Sequence, residues 1–598
     1  MKPYEIPFRP IYETYGAIVW LLTSGMMYAI MRSTSLPTGP FVVMVGAGLG
    51  MGLWRGAVAI SRHRELWSMS KGAIRFIGWN AFMKKANKNE GIFLGEGFKW
   101  GTEHVEKSMD VLKRNPEELF GKKALAKGHQ WIHGLGYRDE KPVNFPLELA
   151  SGHTLIVGTT GAGKTRLLDL LISQAILRNE AVFIIDPKGD KELRDNAKRI
   201  CEKMGEPDRF IFFNPAFADT SARINPLANF NRPTELPSRI ATLIASETAS
   251  DPFVAFSWMA LNNIINGMLI VGEEPTLVRI RRYLESDPGP LLLRVLRTHF
   301  EKAPIRNWET RVQEYLKKLR GRDIEAYILF YQQEVVSEKP SSEIDGLISF
   351  FTHNREHASK MLASLTPIMN MLTSGALAPL LSPTNNEDDD PRKTNSARII
   401  ENGQVAYIGL DSLSDATIGS AIGSILLADL TAVAGDRYNY GVGNRRVNIF
   451  VDESSEVLNG PTIAMLNKGR GCGFSLTLAT QTLADFEARL GDKARARQAL
   501  GNLNNMIVLR VLDGETQEYI AENMPKTKVR TLETQYRSGS SSSEIENFTG
   551  AYGESLKEDE AAIFPPSLLG LLPNLHFLAK FANGTTFKGR LPILQSNN

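Results

Sequence analysis

Eight consecutive residues of this sequence have the types and spacing that bind the phosphates of a nucleotide. They read Gly-x-x-x-x-Gly-Lys-Thr and consist of Gly158, Thr159, Thr160, Gly161, Ala162, Gly163, Lys164 and Thr165. In such a loop the glycines let backbone N–H groups converge on phosphate oxygens. We expect Lys164 to reach the β- and γ-phosphates and the Thr165 hydroxyl to bind Mg²⁺. The sequence therefore predicts a P-loop that binds ATP and Mg²⁺.

A pair of carboxylates further along the chain could hold the metal ion and activate water. Asp452 and Glu453 follow the apolar run 447–451, which is typical of a buried strand. At the tip of such a strand we expect Asp452 to bind the Mg²⁺ shell and Glu453 to polarise the attacking water. Glu456 is the alternative base. Acidic residues often end strands, so this prediction depends on the P-loop in the same region.

Gln481 and Arg470 are two further candidates, and each has an ordinary alternative. Gln481 follows the apolar run 475–479 and could contact the γ-phosphate or its water, although polar residues often end strands. Arg470 lies between glycines, in a turn from which it could reach the phosphate of a nucleotide bound to a neighbouring subunit. A surface arginine on a loop is an equally good interpretation of Arg470.

These residues need a scaffold in which strands alternate with helices. Apolar runs typical of strands are found at 155–157, 181–185, 209–213, 405–410, 447–451, 475–479, 506–509 and 575–579. Strands that alternate with helical segments indicate a parallel sheet. The region from about 232 to 381 has helical periodicity instead, and the Ser-rich stretch 538–543 is predicted to be a loop. We therefore predict one α/β nucleotide-binding domain that an all-α insertion interrupts.

Two apolar segments at the start of the sequence are long enough to cross a bilayer. Residues 15–31 carry no charge and residues 40–60 carry one, Arg55, whereas a span needs roughly 20 apolar residues. Glycines at 46, 48, 50 and 52 would permit close helix contact. Basic residues follow the second segment, which predicts by the positive-inside rule that both ends and the main body are cytoplasmic. A cleaved signal peptide or a buried core hairpin is the alternative.

The pattern divides the chain into five parts. They are residues 1–65 as a transmembrane hairpin, 66–150 as a cytoplasmic lead-in segment, 151–230 as the first part of the nucleotide-binding domain, 231–385 as the all-α insertion, and 395–598 as the second part of the nucleotide-binding domain. A chain of this length is too long for a single core, which agrees with several domains.

Composition limits the other kinds of site. The 598 residues carry a formal net charge of +3, so a surface that binds nucleic acid has to be local. The two cysteines, Cys201 and Cys472, are far apart and have no metal-binding spacing. This usage argues against a disulfide framework or a zinc site, and it agrees with a reducing cytoplasm.

Short motifs spread along the chain resemble those of one protein family. After the apolar hairpin and the P-loop, they are Ile184–Gly189, Arg223–Leu227, Phe450–Glu453, Gly471–Phe474 and Ala479–Gln481. In order and spacing they resemble the TraD/TraG coupling proteins of type IV secretion and conjugation, within the FtsK/HerA branch of P-loop motors. The segments Leu94–Trp100 and Lys588–Pro592 resemble the TraD subgroup of integrative conjugative elements.

The resemblance implies a fold, an assembly and a function. It implies RecA-like P-loop NTPase domains with an inserted all-α domain and an N-terminal two-helix transmembrane hairpin, assembled as a homohexamer on the bacterial inner membrane. The ring would hydrolyse ATP, link a relaxase–DNA complex to a type IV secretion channel, and export single-stranded DNA without reading its sequence. Lys164, Thr165, Asp452, Glu453 and Gln481 would take the roles given above. Arg470 would match the family's position for an arginine that acts on a neighbouring subunit.

The sequence departs from the family pattern in one segment that family members use to dock their partners. Many members carry a long acidic C-terminal tail that recruits the relaxosome, and this sequence has no such run before Asn598. We therefore expect the all-α insertion to be the docking surface.

Two other motors fit the same motifs. One is a secretion ATPase that energises channel assembly or protein export without moving DNA. The other is an FtsK-like duplex DNA translocase, although the residues after Ser543 are too few and too apolar for the basic winged-helix module of that class. A scaffold that binds ATP without turnover is disfavoured by Lys164, Asp452 and Glu453. DNA stimulation of hydrolysis would separate a coupling motor from a secretion ATPase.

Overall fold

The strands of the chain account for most of its organisation. The computed structural model describes residues 8, 10–69, 74–86, 91–244, 251–303, 305–383, 392–441, 443, 445–540 and 548–595. Its strands are β1 (Arg75–Ile77), β2 (Ile92–Lys99), β3 (Lys141–Phe145), β4 (Thr154–Val157), β5 (Ala181–Asp186), β6 (Phe210–Phe213), β7 (Arg223–Ile224), β8 (Lys393–Thr394), β9 (Val405–Gly409), β10 (Val447–Val451), β11 (Phe474–Thr480), β12 (Asn505–Val508), β13 (Lys526–Ser540), β14 (Phe548–Ala562), β15 (His576–Lys580), β16 (Thr586–Arg590) and β17 (Pro592–Leu594).

The helices fall into an N-terminal pair, a set around the sheet, and a long series between β7 and β8. They are α1 (Tyr12–Ser33), α2 (Thr38–Met69), α3 (Trp79–Ala86), α4 (Thr102–Lys113), α5 (Pro116–Phe120), α6 (Lys122–Leu125), α7 (Trp131–Gly134), α8 (Leu147–Ala150), α9 (Lys164–Leu177), α10 (Lys191–Lys203), α11 (Glu235–Ala241), α12 (Pro252–Ile270), α13 (Leu277–Glu285), α14 (Gly289–Lys302), α15 (Trp308–Lys318), α16 (Asp323–Phe330), α17 (Ser342–Thr352), α18 (Arg355–Met361), α19 (Thr366–Leu372), α20 (Leu377–Leu381), α21 (Ser396–Asn402), α22 (Ala416–Tyr440), α23 (Gly460–Lys468), α24 (Ala484–Leu490), α25 (Lys493–Gly501), α26 (Gly514–Glu522) and α27 (Pro566–Leu571).

One mixed sheet of 11 strands forms the centre of the fold. Its order is β3-β2-β16-β15-β12-β4-β11-β10-β5-β9-β6. The strands from β12 to β6 run parallel, and those from β15 to β3 are antiparallel to their neighbours. Every residue of β4 and β5 is buried, as expected for parallel strands that helices cover on both faces. The segment 66–150, predicted as a lead-in, supplies β2 and β3 to this sheet.

The two faces of the sheet pack into different hydrophobic clusters. Ile156 of β4 and Ile184 of β5 belong to the cluster that contains α9 and α10. Their sequence neighbours Leu155 and Ile185 belong to the cluster on the opposite face, with Ile425 of α22. This alternation arises because successive side chains of a strand point to opposite faces. Helices on both faces of a largely parallel sheet, with the P-loop after β4, confirm the predicted α/β fold class.

Every described element between β7 and β8 is helical, from α11 to α20. β7 and β8 pair with each other, so the chain leaves and re-enters the α/β region at one place. α12 packs against several other helices of this group, and its Leu261, Ile264 and Ile265 are fully buried. The domain boundaries given above remain predictions.

Four helices in the described part of the chain are apolar and long enough to cross a membrane, and burial divides them into two kinds. In α12 and α22 the buried share of the apolar window is 44% and 72%, so these are core helices. In α1 and α2 the share is 11% for each, and Leu22, Val43 and Leu53 are about two-thirds exposed. Of the glycines at 46, 48, 50 and 52, Gly48 and Gly52 contact α1 closely. The N-terminal helices are therefore the ones that could span a membrane.

β13 and β14 form a long hairpin that the sequence did not predict. Each strand has 15 residues, and the two pair antiparallel along their whole length. The predicted loop 538–543 is therefore wrong for residues 538–540, which belong to β13, whereas 541–543 lie outside the described residues. The base of the hairpin packs against α4, where Val529 is buried. The two strands are mostly polar in sequence and lack the alternating apolar pattern that predicts strands.

Candidate nucleotide-binding site

The predicted P-loop lies between β4 and α9 and has the backbone geometry that its glycines permit. Gly161 and Gly163 have φ values of 75° and 116°, in the left-handed region that favours glycine. α9 begins at Lys164, so the positive end of its dipole points into the loop. The carbonyl oxygen of Ala162 accepts a hydrogen bond of 2.9 Å from the backbone N–H of Leu575. The loop is thus shaped to bind an anion, and the C-terminal region supports it.

Strand register brings the other predicted residues to the same edge of the sheet. Val451, the last residue of β10, lies opposite Ile185 of β5 and Leu478 of β11. Asp452 and Gln481 therefore follow neighbouring strands where these end, next to the P-loop that follows β4. We call this side of the sheet the carboxyl edge, because the parallel strands end there.

Lys164 lies at the centre of this edge, and its side chain is 7% exposed. Its Nζ donates to the carbonyl oxygen of Gly158 over 2.8 Å and lies 3.5 Å from Oε1 of Glu453. Burial lowers the pKa of Lys164, and the charges of Glu453 and Asp452 oppose that shift. Thr165, the second residue of α9, is partly buried.

Asp452 is a buried carboxylate with the properties of a metal ligand. Burial first, and then the charges of Glu453 and Asp186, raise the pKa of Asp452 to about 6. Its Oδ1 accepts a hydrogen bond of 3.0 Å from the backbone N–H of Glu453. A divalent cation would relieve the repulsion among these carboxylates, and Asp452 with the Thr165 hydroxyl offers the oxygen ligands that Mg²⁺ prefers. The residues present therefore fit the predicted Mg²⁺.

Glu453 is held in an unusual backbone conformation by several contacts. Its φ is 42° and its ψ is 54°, a left-handed conformation that costs a non-glycine residue about 1 kcal/mol. Its Oε1 accepts hydrogen bonds from Lys188 Nζ at 2.6 Å and from Gln481 Nε2 at 2.9 Å. Burial alone would raise the pKa of Glu453, but Lys188 and Lys164 together hold it below the usual value. The side chain is therefore kept ionised, as a general base requires.

Gln481 connects the P-loop to Glu453. The Thr160 hydroxyl donates to Oε1 of Gln481 over 3.1 Å, while Nε2 of the same amide donates to Glu453. A change in the P-loop on binding phosphate would thus be transmitted through one side chain to the predicted base. Glu456, the alternative base, lies in the turn 454–456, and its carboxylate has no hydrogen bond to the other site residues in the described part of the chain.

Lys188 belongs to the site, although the sequence analysis gave it no role. Asp186 at the end of β5 accepts hydrogen bonds from the backbone N–H groups of Lys188, Gly189 and Asp190. The hydroxyl of Tyr407 donates to the same carboxylate over 2.7 Å. This turn directs Lys188 toward Glu453. The signal in the sequence was a strand that ends in Asp-Pro-Lys-Gly, but its relevance depends on β5 being next to β10.

Arg470 is the one predicted site residue that the structure does not bring to the P-loop of the same chain. It precedes β11, whereas Gln481 follows it. The 7 residues of β11 span roughly 20 Å, which separates the two edges of the sheet. A role toward a neighbouring subunit, as predicted, remains compatible with this position.

Two family models match segments of the chain that contain these residues. Residues 134–226 match the model described as the central domain of helicase HerA, which includes the P-loop and Asp186. Residues 446–574 match the model described as the TraM recognition site of TraD and TraG, which includes Asp452, Glu453 and Gln481. No curated protein matches the chain.

Several solved structures resemble the fold at low sequence identity. The unbound bacterial conjugative coupling protein TrwBdeltaN70 is 16% identical, with 76% of this chain and 87% of that chain covered and a TM-score of 0.49. Plasmid coupling protein TrwB in complex with the ATP analogue ADPNP is 16% identical, with 76% and 88% covered and a TM-score of 0.47. VirB4 of Thermoanaerobacter pseudethanolicus is 14% identical, with 84% and 97% covered and a TM-score of 0.43.

All three TM-scores are below 0.5, whereas the two family models match the sequence itself. They match the segments that contain most of the motifs on which the sequence resemblance depends. The predicted resemblance to the TraD and TraG proteins and to the HerA branch of P-loop motors is therefore confirmed in residues 134–226 and 446–574.

Proposed function

We propose that this protein is an ATP-driven DNA-transfer motor of the bacterial inner membrane, which links a relaxase–DNA complex to a type IV secretion channel. The observation that supports this most strongly is the TraD/TraG match over residues 446–574, because that segment contains Asp452, Glu453 and Gln481. Glu453 and Gln481 contact a P-loop that lies within the HerA match. One chain thus combines hydrolytic geometry with the sequence of coupling proteins.

The side chains of the carboxyl edge divide the work of ATP hydrolysis. Lys164 and the P-loop amides would bind the β- and γ-phosphates. Thr165 and Asp452 would hold Mg²⁺, which when bound would neutralise phosphate charge. Glu453 accepts the proton of the attacking water at Oε1. Gln481 couples the occupancy of the P-loop to Glu453. Lys188 keeps Glu453 ionised and in position.

The membrane location and the assembly complete the proposal. α1 and α2 would cross the membrane as a hairpin, with the rest of the chain in the cytoplasm. A homohexameric ring would grip single-stranded DNA through its phosphates, without reading sequence. The helices from α11 to α20 would face the relaxase–DNA complex.

ATP hydrolysis by the full-length protein in lipid nanodiscs, with and without single-stranded DNA, tests this function. We expect the DNA to raise the hydrolysis rate several-fold, and Lys164→Ala to abolish both the basal and the stimulated rate. Lys191→Ala is the matched control, because Lys191 is an exposed lysine at the start of α10 with no hydrogen bond or ion pair to the site residues in the described part of the chain. An ATP hydrolysis rate that is the same with and without DNA would favour the secretion ATPase. Stimulation of the rate by duplex DNA alone would favour an FtsK-like translocase.

A further inference from the structure

An arginine lies within the apolar part of α2, packed against α1. A Cβ atom added at Gly16 of α1 would lie 3.1 Å from both Cδ and Nη1 of Arg55, so the arginine fills the space that the missing side chain leaves. Nε of Arg55 is buried and has no hydrogen-bond partner. Arg55 makes no hydrogen bond or ion pair with any residue that the structure describes. We call the place formed by Gly16 and Arg55 the α1–α2 notch.

The two helices themselves offer no counter-ion for this arginine. The sequence contains no aspartate or glutamate between residues 14 and 64. Glu13, which lies about one turn before Gly16 on α1, forms no ion pair with Arg55. Ionisable side chains within membrane helices are costly when unpaired, and they commonly mark the place where a ligand or partner binds. A counter-charge for Arg55 therefore has to come from outside the α1–α2 pair.

The position of Arg55 along α2 gives its depth in the bilayer of the proposed function. α2 begins at Thr38, so Arg55 lies 17 residues, or about 26 Å, from the end of the helix that is joined to α1. The hydrocarbon core is about 30 Å thick, which places Arg55 near its cytoplasmic boundary. Tyr15 and Trp54 lie close to the same level and are largely exposed, as in the aromatic belts of membrane interfaces. The phosphates of the cytoplasmic leaflet lie next to this boundary.

The surroundings of the α1–α2 notch favour a lipid over a carboxylate of another membrane protein. On the side toward the membrane centre, the apolar side chains of Ile18 and Leu53 are largely exposed. On the cytoplasmic side, the basic segment 62–64 follows, and basic residues at this level attract anionic lipids. A ligand that is anionic at the boundary and apolar toward the membrane centre matches this arrangement. A phospholipid has that form.

We propose that the α1–α2 notch binds the phosphate of an anionic phospholipid of the cytoplasmic leaflet through the guanidinium of Arg55. This inference rests on the proposed function, since it requires α1 and α2 to cross the membrane. The planar guanidinium donates two parallel hydrogen bonds to phosphate oxygens, a geometry that a lysine does not provide. The acyl chains lie over the exposed apolar side chains of the two helices. The absence of a side chain at Gly16 leaves room for the arginine.

Native mass spectrometry of the full-length protein in detergent, titrated with dioleoyl phosphatidylglycerol, gives the first arm of the test. We expect Arg55→Leu to weaken the binding of the first lipid about tenfold, because the charge-assisted hydrogen bonds are lost. Arg55→Lys, which keeps the charge but loses the fork, should bind with intermediate affinity. Arg32→Leu is the control, because it removes the same charge near the other end of α1, where Arg32 donates to the hydroxyl of Tyr28. Its affinity for the first lipid should equal that of the wild type.

A pair of glycine variants gives the second arm and leaves every charge in place. In Gly16→Ala the added methyl group would contact Arg55 at 3.1 Å and displace it, so we expect the affinity for the first lipid to fall about threefold. Gly25→Ala is the matched control on the same helix, because a Cβ atom there has nothing within 4 Å. A thermal melt checks that both variants are folded.

The outcomes separate this inference from the proposed function. An unchanged affinity in Arg55→Leu would overturn the inference and would leave a carboxylate of another membrane protein as the counter-charge. An equal loss in Arg32→Leu, or equally tight binding of phosphatidylcholine, would also overturn it. Displacement of the lipid by millimolar inorganic phosphate would show that the notch binds the free ion instead. A full-length protein that stays in the soluble fraction of cells would contradict the membrane location in the proposed function, before any lipid is compared.

Discussion

The two edges of the central sheet differ in how their charges are matched. At the carboxyl edge, cations and anions contact each other, as Lys164 and Lys188 do with Glu453. At the opposite edge, where the parallel strands begin and which we call the amino edge, Arg446 and Arg470 line a cavity of about 230 Å³. One edge therefore holds a nearly complete set of hydrolytic groups, and the other holds arginines whose charge is only partly matched. If Arg470 acts on a neighbouring subunit, as predicted from the sequence, each chain carries two halves of a site rather than one whole site.

Parallel strands explain why the halves cannot meet within one chain. Loops that follow the strands lie at the carboxyl edge, and loops that precede them lie at the amino edge. The length of the strands keeps the two apart. In the proposed ring, copies arranged head to tail would bring the carboxyl edge of one chain to the amino edge of the next, as heterologous interfaces do. The following predictions test whether the edges play these different parts.

Removing the central cation of the carboxyl edge should have the largest effect. Lys164→Ala removes the ammonium that contacts Glu453 and is placed to bind phosphate. We expect ATP hydrolysis to fall about 10³-fold, and binding of a fluorescent ATP analogue to weaken as well. Lys191→Ala should leave both unchanged, and a thermal melt checks that each variant is folded. Retention of substantial hydrolysis in Lys164→Ala would contradict the site.

Substitution of the predicted base, Glu453, should lower the turnover rate and leave ATP binding nearly unchanged. Glu453→Gln keeps the shape of the side chain and an oxygen that can accept from Lys188, but loses the negative charge. We expect kcat to fall about 10²-fold with little change in ATP affinity. Glu456→Gln is the matched comparison, and a larger loss in that variant would assign the base to Glu456.

Substitution of Lys188 should lower kcat less than substitution of Glu453, because Lys188 acts through Glu453. In Lys188→Met the 2.6 Å hydrogen bond to the base is lost, so we expect kcat to fall about tenfold at unchanged KM. Lys188→Arg keeps a cation and should retain most of the activity. Equal losses in the two variants would indicate that the lysine supports the fold rather than the base.

The Mg²⁺ requirement should depend on pH through Asp452. Its pKa of about 6 means that the carboxylate is ionised above this pH and protonated below it. Protons therefore compete with Mg²⁺ as the pH falls. Between about pH 7.5 and 5.5 we expect a roughly fourfold rise in the Mg²⁺ concentration that gives half-maximal nucleotide binding. The same rise in Asp452→Asn would show that another group is responsible.

The sequence predicted the parts of the site that depend on local patterns. The P-loop is a continuous motif, and Asp452, Glu453 and Gln481 each follow an apolar run that is a strand in the structure. The α/β class follows from the same alternation of strands and helices. These features can be predicted because neighbouring residues in the chain determine them.

The rest depends on which strands are neighbours, and one sequence does not reveal strand order. Lys188 contacts Glu453 because β5 pairs with β10, and Arg446 shares a cavity with Arg470 because β10 pairs with β11. β2 and β3 belong to the main sheet for a similarly non-local reason, because β2 pairs with β16 near the other end of the chain. The β13–β14 hairpin was missed for a different reason, because its mostly polar sequence lacks the apolar alternation that predicts strands.

The position of the γ-phosphate in the assembled protein tests the central claim most directly. Full-length Glu453→Gln, assembled with ATP and Mg²⁺ on single-stranded DNA, would be imaged at a resolution that shows side chains. We predict that Lys164 of one copy and Arg470 of the next lie within about 3.2 Å of the same phosphate. A γ-phosphate surrounded by groups of one chain alone, with Arg470 exposed to solvent, would contradict a site shared between the two edges.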